Sequence, residues 1–276
     1  DAPADSAYVI QCAAVLGSRV KPSEWSTLAK SGLARAFSSI LSSGVESGFL
    51  NLEQDGDFTF VHGLFRNAVI ELAKEQGNYV PLNLKAGQMI ERLESKDHVR
   101  VATYFQHGGD MEAASRHWGL AVENYRQLDD YSLLRWALSQ WTVVMRQRQV
   151  HLDHPEWWKL VSDWAFTDQQ QGQVTKALNR LMRLKQRIER SAKDDKILVT
   201  VMLDIANCKQ RLFGPGSAQT ELNETLSLAK QLAPDLYVEV LVTIAKDLKL
   251  TGKYDESEAL YREALSRLGE DENQIR

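Results

Sequence analysis

The sequence predicts a mainly α-helical protein: a small head of helices closed by a β-hairpin, followed by a stack of helical hairpins. Three observations carry this. Residues 33–75 read as helix, strand, tight turn, strand, helix. From about residue 97 onward apolar residues keep a helical period. Along that second part, pairs of a small and a large residue recur four positions apart at long intervals.

The first helix is expected over 6–16, SAYVIQCAAVL, with Val9, Ile10, Ala13 and Leu16 on one face, Ser6 as N-cap and Gly17 as the stop. Pro22–Ser23–Glu24 opens a second helix through Trp25 and Leu28, which Gly32 breaks. Leu33, Phe37, Ile40 and Leu41 make a third apolar stripe. After Gly48 the period changes to two: Phe49 and Leu50 lead to Leu52, Asp55–Gly56 makes the turn, and Phe58 and Phe60 alternate on the return strand. A helix follows His62–Gly63, with Leu64, Phe65, Ala68, Val69 and Leu72 facing inward, and another spans roughly 82–94. Three helices followed by a two-stranded wing describe a winged-helix domain over residues 1–95.

Such a module raises DNA binding as a function, and its charge argues against it. Residues 1–95 hold 8 Lys/Arg against 11 Asp/Glu, and the expected reading helix, 33–47, has Arg35 as its one base. Phosphate neutralisation supplies most nucleic-acid affinity, and the whole chain carries a net charge of −4. Nucleic acid is therefore not the expected partner, and a winged helix used for protein packing is the better reading.

Residues 96–276 read as repeats. In LVTIAKDLKLTGKYDESEALYREAL (241–265), Leu241, Ile244, Ala245, Leu248, Gly252, Tyr254, Tyr261, Ala264 and Leu265 stand at the positions of a tetratricopeptide repeat. Its small/large pair, Ser257/Tyr261, has counterparts in Ala114/Trp118, Ala137/Trp141, Ala177/Leu181 and Ala218/Leu222. The first interval is short, which predicts one continuous helix over 111–128 shared by two units. The expected architecture is a tetratricopeptide-like right-handed α-superhelix. Of seven tryptophans, six lie between 118 and 164, and Trp157, Val161 and Trp164 share a face expected to be interhelix core.

The run FTFVHGLFRNAVIELA (58–73) resembles the end of the winged-helix domain in STAND-type signalling NTPases. Phe60, His62, Gly63, Leu64 and Arg66 match that pattern, and CAAVLG (12–17), SSGVESGFL (42–50) and HGGDMEAASRHW (107–118) are similar to the bacterial branch. The resemblance implies a regulatory piece whose ATPase domain lies outside this chain. It also implies that His62 contacts the phosphate of a bound ATP or ADP in that parent protein, the alternative being a structural His that caps the following helix or fills a pocket. No G-x-x-x-x-G-K-[ST] loop occurs here, so no nucleotide cofactor is expected in the chain itself. Its partners would be the missing ATPase domain of the same protein and a protein or peptide ligand on the repeat surface. A pure interaction scaffold and a DNA-binding regulator are the alternatives.

One further feature addresses a partner. In KALNRLMRLKQRIER (176–190), Lys176, Arg180, Arg183, Arg187 and Arg190 form a cationic stripe beside an apolar face of Ala177, Leu181, Leu184 and Ile188. It reads either as a seat for an acidic partner or as a solvated outer face.

No enzyme signature emerges. His151 and His154 sit in a loop before Pro155 without the third ligand a metal site needs. His98, His107 and His117 are expected to stand apart on different helices, and Asp194–Asp195 reads as a loop. Cys12 and Cys208 match no metal or redox spacing and read as small buried hydrophobes in a reducing cytoplasm. No apolar run reaches the ~18–20 residues of a membrane span, and no leader pattern opens the chain. The opening DAPADS lacks Met and reads as the start of a piece of something longer.

Overall fold

A computed structural model of the chain describes residues 2–29, 34–93, 96–191 and 195–274. Gly32, Leu33 and Asp194 lie outside the described residues, as do the side chains of Arg35 and Phe37. The chain divides into two units, residues 1–124 with 143–148, and residues 125–142 with 149–276.

In the first unit the elements run α1 (Ala2–Leu16), β1 (Arg19–Val20), α2 (Pro22–Ala29), α3 (Ala34–Glu46), β2 (Leu50–Leu52), β3 (Phe58–Phe60), α4 (Gly63–Glu75), α5 (Tyr79–Arg92) and α6 (His98–His107). The alternating aromatics do form a hairpin, with Leu50 opposite Phe60 and Leu52 opposite Phe58. Gly56, at φ 86°, makes the turn. A third strand joins it: β1 pairs antiparallel with β3, giving the order β1-β3-β2. Two residues are too few to show a period in the sequence.

Two helices begin earlier than expected. α1 starts at Ala2, so Ser6 lies inside it rather than capping it. α5 starts at Tyr79 and carries Pro81 in its first turn, where a missing N–H breaks no helical bond. The inward face of α4 also needs correction. Val69 and Ala73 are buried, but Leu64 is 84% exposed and Ala68 is exposed too. Periodicity marks an apolar stripe without saying which edge of it meets a neighbour.

The core of this unit is built on aromatic and buried polar contacts. Trp25 is fully buried, donates its Nε1–H to the Val9 carbonyl at 2.7 Å and meets Phe58 edge-on. Gly87 lets α5 approach α6; a Cβ there would come within 3.2 Å of the Phe105 ring. Arg100 of α6 clasps the buried Glu24 of α2 at 2.5 and 3.1 Å, and Tyr104 donates to the Leu16 carbonyl at 2.7 Å.

Two helices, α7 (Met111–Gln127) and α8 (Tyr131–Gln147), run through the division between units. α7 is the single helix that the short repeat interval predicts, ended by a left-handed residue, Asp129 at φ 55°. The second unit continues with α9 (Pro155–Gln170), α10 (Val174–Arg190), α11 (Asp195–Phe213), α12 (Gln219–Leu232), α13 (Pro234–Leu250) and α14 (Tyr254–Gln274). These six form consecutive hairpins, α9–α10, α11–α12 and α13–α14, and α11 touches both α9 and α13.

The small/large pairs are the repeat core. Ala114, Trp118, Ala137, Trp141, Ala177, Leu181, Ala218 and Leu222 are all buried. Ser257 is tolerated in the small position because its hydroxyl donates to the Ala245 carbonyl at 2.7 Å. The tryptophans divide otherwise than expected. Trp158 of α9 is buried, whereas Trp157 and Trp164 are half-buried and Trp136 is 42% exposed. One residue along a helix is about 100° of rotation, so neighbouring tryptophans cannot both face the core.

Candidate functional site

The first helices of the hairpins carry polar residues where a repeat core would carry none. Asp204, Asn207 and Gln210 follow at i, i+3 and i+6 along one face of α11. Phe166 and Gln169 of α9, Arg211 of α11 and Asp247 of α13 line a groove of about 500 Å³ with them. Arg126 closes one end, its guanidinium 4.2 Å from the Phe166 ring centre and 3.3 Å from Asp163 Oδ1.

The groove's electrostatics follow from its burial. Burial is the main force holding the Asp204 carboxyl up at about 6; Arg126 pulls it down, while Glu239 and Asp163 add to the rise. Asp247 is only 2% exposed. Its Oδ1 accepts from the Gly216 N–H at 2.8 Å, while its Oδ2 and the Gln210 Nε2 have no hydrogen-bond partner among the described residues. A buried polar atom left unmatched costs free energy unless a ligand or solvent meets it. Primary amides offer an acceptor oxygen beside an NH2 group with two donor hydrogens, so they can bond both the N–H and the C=O of a peptide main chain. Carboxylates beside them take a cation. The arrangement suits recognition of main chain and a basic side chain, and it contains no nucleophile with a base beside it.

The residues singled out in the sequence lie elsewhere. His62 occupies the N-cap position of α4, exposed, and its side chain makes no capping bond. Its backbone carbonyl accepts from Phe65 and Arg66, and Arg66 Nε donates to the Ala14 carbonyl at 2.9 Å. Lys176, Arg180, Arg183 and Arg187 line one wall of a second groove, of about 800 Å³, with Leu152, Trp157 and Val161 opposite. Arg190, in the last turn of α10, is exposed and outside that lining. Lys176 and Arg180 both bond the fully buried Asp168, at 2.9 and 3.2 Å, so part of the stripe is spent on tying α9 to α10.

The histidines also differ from expectation. His98 and His117 are brought together, Nδ1 to Nδ1 at 3.2 Å, because α6 and α7 fold back on one another. His117 Nε2 lies 3.0 Å from Glu91 Oε1, and burial, then the second imidazole, holds His98 below its usual range. His154 accepts from the Glu156 N–H and so caps α9. Among the described residues no group of three His, Cys, Asp or Glu is placed to hold a metal ion. Burial pushes the Cys12 thiol up to about 12 and Cys208 to about 11, so both stay protonated near neutrality.

The α11 groove was missed in the sequence, although a signal existed. Asp204 and Asp247 each interrupt an apolar helical run, ILVTVMLDIA and LVTIAKDL, at a position that ends up facing their sister helices.

No protein-family model matches this chain, and no curated protein matches it by sequence. Solved structures do. A Rap protein complexed with Competence and Sporulation Factor is 12% identical with a TM-score of 0.53, over 97% of this chain and 79% of that one. Aspartyl phosphate phosphatase F from Bacillus subtilis is 11% identical with a TM-score of 0.52, over 89% of this chain and 64% of that one. A STAND ATPase with a tetratricopeptide repeat sensor, from Pyrococcus horikoshii, is 16% identical with a TM-score of 0.49, over 95% of this chain and 44% of that one. Likeness at such identities speaks to fold alone, and the fold is a mainly α-helical array of tetratricopeptide-like repeats.

Proposed function

We propose that this chain is a recognition module with no chemistry of its own, whose repeats take an extended peptide segment of a partner protein along α9, α11 and α13. The observation that carries this is the row Asp204, Asn207, Gln210 with the buried, unmatched Asp247 Oδ2 and Gln210 Nε2 in one groove. A bound main chain would satisfy those groups, and a lysine or arginine of the peptide would sit between Asp204 and Asp247. Peptides selected from a random library on the intact chain are expected to be basic. Their affinity should fall about tenfold to a hundredfold in Asn207→Ala/Gln210→Ala, the loss of one or two buried hydrogen bonds. Selected peptides that bind this variant as tightly as the parent would end the reading.

A finer reading places the module in a STAND-type signalling ATPase. The element order α1-β1-α2-α3-β2-β3 with a β1-β3-β2 sheet supports a winged helix in the first unit. Leu64 at 84% and Val61 at 46% exposure, close to His62 along the chain, leave apolar surface for an ATPase domain to cover. His62 would then face the nucleotide of that domain. A peptide trigger acts through such a joint by favouring one packing over another. In the ATPase-containing protein, His62→Ala is expected to speed ADP release several-fold in a stopped-flow chase with labelled nucleotide. An unchanged release rate favours a plain interaction scaffold.

A further inference from the structure

The groove beside α10 shares no lining residue with the α11 groove. We propose that it binds an acidic segment of a partner protein that carries an apolar anchor residue, carboxylates on Arg183 and Arg187 and the anchor against Trp157 and Val161.

The stripe is not uniform once its partners are counted. Lys176 and Arg180 are held by Asp168, which is fully buried and unreachable from outside. Arg187 meets Asp153 at a long 3.5 Å, with both side chains about 40% exposed, so an incoming carboxylate can replace that contact. Arg183 makes no ion pair among the described residues. Four cations against Asp168 and Asp153 leave a surplus of two positive charges, spread along about 16 Å of helix. Guanidinium forks suit carboxylates, which they bind in a bidentate manner.

The opposite wall is apolar. Trp157 and Val161 stand one turn apart on α9, with Leu152 before them and Leu184 below on α10. A wall of cations facing a wall of apolar side chains matches a segment with acidic residues on one side and a Leu, Ile or Phe on the other. The match to a nucleic-acid backbone is poorer. Two surplus charges neutralise few phosphates, and most of the apolar wall is aliphatic, with one indole on which a base can stack.

The test uses the whole chain and fluorescence anisotropy. The probe is a fluorescein-labelled peptide of about twelve Asp and Glu residues with Leu at every fourth position; a Gln-for-acid version and a single-stranded oligonucleotide of equal length are the comparisons. The acidic peptide should bind, and Arg183→Glu/Arg187→Glu should weaken it by about tenfold or more. Arg262→Glu, the same reversal made once at an exposed residue of α14, should alter it less than about twofold. Trp157→Ala should weaken it with the charges intact. No binding, equal binding of the Gln peptide, equal loss in Arg262→Glu, or tighter binding of the oligonucleotide would each overturn the proposal.

Discussion

Arg100→Met is expected to destabilise the first unit by about 3–5 kcal/mol, because it removes the partner of a buried charge while keeping most of the side chain's bulk. Glu24 is 7% exposed, and Arg100 is its ion-pair partner at 2.5 Å. The same guanidinium donates Nε to Tyr104 Oη at 3.0 Å, next to the bond from Tyr104 to the Leu16 carbonyl that ends α1. One substitution therefore loosens the joints among α1, α2 and α6 together. Urea denaturation should show a lower midpoint with little change in slope. Adding Glu24→Leu should recover a large part of the loss, since replacing both members of a buried pair by apolar residues is far cheaper than orphaning one. A loss under about 1 kcal/mol in the single variant would mean that Glu24 reaches solvent or another cation once Arg100 is gone.

Asp204→Asn is expected to act in the opposite direction, raising stability by about 3 kcal/mol near pH 7. The sign follows from linkage. In the fold this carboxyl is held up at about 6 from an ordinary 3.8, chiefly by burial. The folded state therefore keeps its proton while the unfolded state releases it. Below the unfolded value both are protonated and the residue costs nothing. As pH rises through the window from 3.8 to about 6 the fold is progressively penalised, and the penalty is complete above that window. Asn removes it, so the gain should be present at pH 7 and nearly absent at pH 4 in paired thermal melts. A pH-independent gain would point to packing instead. The variant should also bind the basic peptides of the α11 groove more weakly, the usual exchange of stability for function at a strained site.

Much of the repeat architecture was legible because each pair such as Ala177/Leu181 is a local pattern four residues long, and the fold repeats it. Gly252 and the Ser257 position could be placed on the same ground. The hairpin at 50–60 was equally plain, since alternation and Asp55–Gly56 are local signals. The candidate sites were legible only in part. The stripe on α10 is visible as charge at helical spacing, but nothing in 176–190 says that Asp168, eight residues upstream of Lys176, holds two of its members. His98 and His117 illustrate the same limit: nineteen residues separate them, and only the antiparallel return of α7 on α6 brings their rings together.

Short-range chemistry thus settled which segments are helix or hairpin and where the small residues let helices close. Packing chose the rest: which edge of α4 is covered, which of Trp157 and Trp158 goes inside, and that Asp204, Asn207, Gln210 and Asp247 converge on one groove. The physical reason is that helical period and turn residues act between neighbours in the chain. Burial and charge at a site are sums over residues far apart in sequence, and those exist only after the helices have met.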